Sequence, residues 1–313
     1  MTLRLETMPA ERFDAWRAAT AAQLGELRIG SGMRPPAEAR DEADGILSRR
    51  FPEGIGSAGQ RVLELRDGER AVGTAWLEVR ADPPHAMLYA LETEDPVVAA
   101  AAMGLLETAA RAAGATVLRI DLFAQDAAGW AAIDGRGYRA TDVQMLLAPL
   151  PAPRPAGAVR LERMTAAQYA RFEERLIAEF AADLVNEGLH TPETARAESE
   201  RQTAEALPDG LDTEDELLFV ARTDGVAEPV GILWLSVMRR STGPHAFVLE
   251  LRVEAGHRRR GFGTAMMRAA EDEARRVGAD SIGLHAFGSN APARALYAGL
   301  GYREAEVLLA KDL

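Results

Sequence analysis

Residues 1–148 and 158–313 carry one pattern written twice. Arg4-Leu5-Glu6 and Met8 recur 156 positions later as Arg160-Leu161-Glu162 and Met164, and Phe51-Pro52-Glu53-Gly54-Ile55 recurs in the same register as Leu207-Pro208-Asp209-Gly210-Leu211. The offset grows to 158 where Val72-Gly73 and Trp76 meet Val230-Gly231 and Trp234, and to 160 where Pro84-His85-Ala86 meets Pro244-His245-Ala246. It then jumps to 164, as Gly114-Ala115 against Gly278-Ala279 and Gly137-Tyr138-Arg139 against Gly301-Tyr302-Arg303 show. Such self-similarity restricts the chain to two modules of one fold, in agreement with its 313 residues.

The jump means that the first copy lacks four residues between about Asp95 and Leu105. In that place the second copy has Arg258-Arg259-Arg260-Gly261-Phe262-Gly263-Thr264, after an apolar run (Phe247 to Val253) and before a helical pattern (Ala265 to Val277). Two glycines flanking one residue at a strand-to-helix junction let several N–H groups converge at the positive end of a helix dipole, a geometry that binds phosphate. Read alone, the stretch is equally an ordinary glycine turn beside solvated arginines. The first copy reads Glu92-Thr93-Glu94-Asp95-Pro96 there. Its carboxylates repel phosphate and its proline lacks an N–H. The same register sets Ala90 against Glu250, Asp126 against Asn290, and Ile133 against Tyr297.

Between the copies, Pro149 to Gly157 holds four prolines and predicts a stiff extended linker. The expected domains are a degenerate one over 1–148, the linker over 149–157 and a working one over 158–313. Each copy predicts a short strand (Leu3 to Glu6; Val159 to Glu162) and a helix (Glu11 to Leu24; Ala166 to Phe180) with apolar residues three and four apart. A second helix follows, Pro36 to Leu47 or Pro192 to Leu207, the latter with Thr191 as N-cap. Three strands come next (Arg61 to Leu65, Ala71 to Val79, Ala86 to Leu91; Glu216 to Arg222, Val230 to Val237, Ala246 to Val253). A helix, a buried strand, a short helix and a closing pair of strands finish the copy. The class is α/β of the α+β kind, with a mixed, mostly antiparallel sheet flanked by helices in each copy.

The order of strand ending in Val253, R-x-x-G-x-G, helix, strand Ile282 to Phe287, then Asn290, Ala293, Tyr297 and Gly301-Tyr302 resembles the GNAT superfamily of acetyl-CoA-dependent N-acetyltransferases. The two-module layout is similar to that of the mycothiol synthases, an architectural likeness that implies no substrate. The resemblance implies tandem GNAT folds, acetyl-CoA as co-substrate and a small-molecule or peptide amine as acceptor. It further implies acetyl transfer by the second copy, with the first not binding acetyl-CoA. A protein that holds acyl-CoA without turning it over is the alternative.

Acetyl transfer from a thioester to an amine needs a neutral amine, a donor to the developing oxyanion and a proton for the thiolate. Cysteine is absent, which excludes an acetyl-cysteine enzyme and leaves direct attack in a ternary complex. By resemblance, Leu251 and Val253 run beside the cofactor, and the Val253 N–H holds the acetyl carbonyl. The N–H groups of Arg259, Arg260, Gly261, Phe262, Gly263 and Thr264 cradle its phosphates, with Arg258 or a neighbour adding charge. Tyr297, whose phenol has a free pKa near 10, is the expected acid, although a tyrosine beside Leu296 and Leu300 also suits a core. Asn290 caps the following helix or binds the cofactor amide. Glu250 is the candidate base, directly or through water, or else an arginine-paired strand residue. His285 is a possible acceptor contact. The family's acceptor pocket corresponds to Phe180 to Pro208, which carries no substrate signature.

A net charge of −12 argues against a nucleic-acid partner and mildly favours a cationic acceptor. No apolar run is long enough to span a membrane and the Met-Thr-Leu-Arg-Leu-Glu start lacks a secretory pattern, so a cytoplasmic protein is expected. The five histidines form no ligand pair and no metal is expected. The copies are expected to pack as an intramolecular pseudo-dimer, whatever the oligomeric state.

Overall fold

The computed structural model describes residues 2–153, 157–186 and 190–313. The first copy contains β1 (Leu3–Thr7), α1 (Phe13–Ser31), α2 (Pro36–Arg50), β2 (Gln60–Asp67), β3 (Arg70–Ala81), β4 (Pro84–Thr93), α3 (Pro96–Ala112), β5 (Val117–Phe123), α4 (Ala127–Ile133) and β6 (Arg139–Leu147). The second contains β7 (Arg160–Arg163), α5 (Ala166–Asn186), α6 (Pro192–Ala206), β8 (Glu216–Arg222), β9 (Gly231–Arg240), β10 (Gly243–Val253), α7 (Phe262–Arg276), β11 (Ile282–Phe287), α8 (Ala291–Leu300) and β12 (Arg303–Asp312). The two orders are the same, element for element. Among the described residues no helix is long and apolar enough to cross a membrane.

The chain forms two compact units, one of Met1–Met145 with Ala286–Arg294 and Arg303–Leu313, the other of Leu146–His285 with Ala295–Tyr302. In the first, the strand order is β1-β2-β3-β4-β5-β12-β6. The sequence predicts two closing strands per copy, but each copy has one, because residues 303–312 run as a single unbroken strand with Ala305, Val307 and Leu309 buried. This strand, β12, ends the second copy yet pairs antiparallel with β5 of the first, Val307 opposite Leu122 and Leu309 opposite Ile120. With β4 along one edge of β5, the other edge also needs backbone partners, and β12 supplies them. In the second unit the order is β11-β10-β9-β8-β7, antiparallel except for β10 with β11.

Each unit has its own aromatic core. Phe13, Trp16, Phe51 and Trp76 pack together in the first; Phe172, Leu218, Ile232 and Trp234 do so in the second. Burying each such side chain contributes roughly 1.5–3 kcal/mol. Two of the three core indoles have polar partners, Trp76 Nε1 donating to Gln60 at 2.7 Å and Trp234 Nε1 to Glu216, whereas Trp16 Nε1 has none among the described residues. The repeated Gly-Ala pairs end α3 and α7 in the same manner. Gly114 and Gly278 take φ +91° and +82°, and the N–H groups of Ala115 and Ala279 reach back to Ala110 and Ala274.

Two local expectations are corrected. Thr191 does occupy the N-cap of α6, but its hydroxyl meets that of Thr194 at 3.3 Å and caps no helix N–H. The linker is not a free spacer at its start: Leu150 N–H donates to Asp280 O at 2.8 Å, and Arg275 Nε to Pro151 O at 3.1 Å. Its Arg154, Pro155 and Ala156 lie outside the described residues, as do residues 187–189 of the expected acceptor region.

Candidate active site

The site is organised by an extra residue in β10. Pairing with β9 runs Val248 to Leu235 and then Glu250 to Trp234, so Leu249 has no partner of its own and forms a bulge. Before the bulge, Ala246 N–H points at β11, donating to Ser281 O at 3.1 Å; after it, Glu254 N–H points the other way, to Val230 O at 2.9 Å. Strand alternation then turns the N–H groups of Leu251 and Val253 away from β9, toward the side β11 occupies. The parallel pairing of β10 with β11 ends at Val248 opposite Leu284. Leu251 and Val253 therefore face a gap between splayed strands, where an extended ligand can pair with the backbone.

β10 runs on into the arginine-glycine loop. Arg259 has φ +61° and Gly261 φ +81°, alternating with residues of negative φ. Such alternation gathers successive N–H groups into one concavity at the N-terminus of α7. Among the described residues, no acceptor takes the N–H groups of Arg259, Arg260, Gly261, Phe262, Gly263 or Thr264; the first helical bond is Ala265 N–H to Gly261 O at 3.1 Å. The second glycine has a packing reason. A Cβ on Gly263 would lie 3.0 Å from Leu296 Cδ1. The three arginines differ: Arg258 Nε donates to Val253 O at 3.1 Å, Arg260 lies near His257 and over Phe262, and Arg259 is exposed.

Glu250 lies three residues before Val253 and is largely buried, its Oε2 without a hydrogen-bond partner among the described residues. Burial first of all, then the neighbouring Glu179 and Glu254, push its carboxyl up to about 7 against the opposing charge of Arg175. Arg252 does not neutralise it. That guanidinium is 3.8 Å from Glu250, 3.2 Å from Glu179 and 3.8 Å from Glu254, one charge shared by three carboxylates. Arg175 and Glu179 on α5 escaped the sequence reading. Their four-residue spacing puts them on one helix face, but nothing local says that this face meets Glu250.

Tyr297 is buried on α8, and burial raises its phenol above the ordinary value, so it is protonated throughout the neutral range. Asn290 is the cap of α8, Oδ1 accepting from Ala293 N–H at 3.2 Å. His285 is exposed on β11, edge-on to Phe247 at 5.2 Å. His245, by contrast, is buried against Ser281 (2.9 Å), a structural position as its recurrence at His85 suggests.

In the first copy the bulge recurs at Tyr89, between the pairs Trp76–Ala90 and Leu77–Leu88, and β4 likewise parts from β5 after Leu88 opposite Ile120. The cradle does not recur. Asp95 Oδ1 accepts Val97 N–H at 2.8 Å, and Pro96 opens α3 with no N–H to offer.

Comparison with known proteins agrees with this geometry. Residues 181–302 match the Acetyltransferase (GNAT) family. The chain is 28% identical over 134 residues, 43% of its length and 85% of the relative's, to YycN of Bacillus subtilis, named an uncharacterized N-acetyltransferase. A mycothiol acetyltransferase of Beutenbergia cavernae is 36% identical over 86 residues, 28% of either chain. Over 99% of this chain and 95% of the other, the fold matches a GCN5-related N-acetyltransferase of Sphaerobacter thermophilus at TM-score 0.54 and 16% identity. The bulged strand and the main-chain cradle it feeds lie within the residues that match the Acetyltransferase (GNAT) family, so it is the second copy that is similar to the GNAT acetyltransferases.

Proposed function

We propose that the second copy moves an acetyl group from acetyl-CoA to an amine by direct attack in a ternary complex. The observation that carries this reading is a bulged strand that bears the buried carboxyl of Glu250 and whose outward N–H groups and terminal cradle suit a phosphorylated thioester. The N–H groups of Arg259 to Thr264 would hold the phosphates, with the exposed Arg259 side chain adding charge. Leu251 and Val253 would pair with the extended arm. The bound cofactor supplies an acetyl thioester.

Glu250 takes a proton from the incoming ammonium, directly or through one water, because its pKa lies close to working pH. Val253 N–H donates to the acetyl oxygen, a fixed dipole that needs no reorganisation. Tyr297, kept protonated by burial, holds the proton that the thiolate requires. The carboxylates Glu179, Glu250 and Glu254 favour a cationic acceptor, which His285 would contact from β11. Acetyl-CoA is confined to the second copy, since carboxylates and a proline stand where the first would need N–H donors.

The test is thiol release from acetyl-CoA by the full chain across a panel of primary amines, beside melting curves with acetyl-CoA alone. Release that depends on the amine, with product mass increased by one acetyl group, is expected. A cofactor-dependent rise in Tm with no amine acetylated would overturn the enzyme reading in favour of a protein that only holds acyl-CoA.

A further inference from the structure

A cavity of about 920 Å3 lies within the first copy, a volume that suits a small organic ligand. It opens where β4 and β5 part after the Tyr89 bulge and is roofed by α3 and α4. Leu24, Leu88, Met103 and Phe123 give it apolar walls, and Glu92 and Asp121 give it carboxyls. Of the arginines in its lining, Arg12 pairs with Glu64, Arg28 lies 3.6 Å from Glu306, and Arg70 is exposed at the start of β3.

Glu92 accepts one hydrogen bond, from Thr20 Oγ1 at 2.9 Å, and no arginine or lysine among the described residues pairs with it. Asp121 is buried with Glu306 as its hydrogen-bond partner and Asp142 nearby, three carboxyls around the single guanidinium of Arg28. The Thr74 hydroxyl, also in the lining, is buried without a partner. Glu94 and Asp95 add negative charge to the wall, opposing any phosphate. A hydrophobic volume whose buried carboxyls outnumber the guanidinium beside them asks for a ligand with an apolar body and a positive head.

We propose that the first-copy cavity is a binding site for an organic ammonium, distinct from the acetyl-CoA site of the second copy. Glu92 and the Asp121–Glu306 pair receive the charged head; the apolar walls receive the body. Burial raises both Glu92 and Asp121 above ordinary carboxyl values, and Glu306 raises Asp121 further against the opposing charge of Arg28.

The test is calorimetric titration of the full chain with n-hexylammonium chloride, 1-hexanol and sodium hexanoate. Hexylammonium binds, while hexanol and hexanoate bind at least about tenfold more weakly, since a charge-assisted hydrogen bond is lost. Glu92→Gln removes the charge and Ala90→Phe fills the cavity; each weakens hexylammonium by about tenfold or more while acetyl-CoA affinity and thiol release stay unchanged. Melting curves establish that each variant is folded, and either alone suffices. Equal binding of hexanol and hexylammonium, no binding, or binding that survives a folded variant overturns the proposal. So does loss of acetyl-CoA binding in Ala90→Phe, which would make the cavity a cofactor site.

Discussion

Glu250→Gln should make the protein more stable and less active, and the gain should depend on pH. Raising a carboxyl from 4.5 to about 7 means that the folded state binds the proton more tightly than the unfolded chain does. Between those two values the native state holds more protons than the unfolded state, so stability falls as pH rises. The loss is complete above pH 7 and absent below pH 4.5. At 1.36 kcal/mol for each pKa unit the ceiling is about 3 kcal/mol, and residual exposure of the side chain brings the expected value to about 1–3 kcal/mol. Glutamine keeps the shape and removes the ionisation. In chemical denaturation the variant should exceed the parent by that amount at pH 8 and match it within about 0.5 kcal/mol at pH 4.5. Thiol release by the parent should rise through pH 7, and the variant should lose that limb with roughly 100-fold or more of its rate. A stability difference that is the same at both pH values, or a variant less stable at pH 8, would refute the desolvation argument.

Three further outcomes follow from single contacts. Tyr297→Phe should lower thiol release by about 100-fold or more with acetyl-CoA affinity within about threefold of the parent; in stopped-flow and titration, equal losses in both would instead mark Tyr297 as packing. Asn290→Ala removes the α8 cap at Ala293 and should cost about 1 kcal/mol in urea denaturation. Gly231→Ala would drive a Cβ into Arg252 O and to 2.8 Å from Met266 Sδ, where β9 meets the bulged strand. It should destabilise by about 1–3 kcal/mol, read as a lower denaturation midpoint, with weaker acetyl-CoA binding.

Much of the scaffold was legible because it is local. The Gly-Ala pairs that end α3 and α7, the tryptophans of the two cores, and the glycine loop ahead of α7 are written in neighbouring residues, and the repeat reads the first two of these twice. The unequal loop lengths, with Pro96 set against the second copy's glycines, likewise needed only an alignment of the chain with itself. What escaped the reading involves partners far apart in sequence. Leu249 looks like any strand residue; its bulge exists because β9 holds the register on both sides of it.

The sequence alone therefore determined two copies of one pattern, an arginine-glycine loop at the strand-to-helix junction of the second only, and a short list of ionisable candidates in the absence of cysteine. Tertiary structure decided which of those candidates is desolvated, burying Glu250 so that its carboxyl is pushed up to about 7. It brought α5 and its carboxylates over Glu250, gave β12 to the open edge of β5, and left a carboxyl-lined cavity where the first copy had seemed only degenerate. The physical reason is range. Turns, caps and periodicity are settled within a few residues, whereas desolvation, edge pairing and cavities depend on which distant surfaces exclude water together.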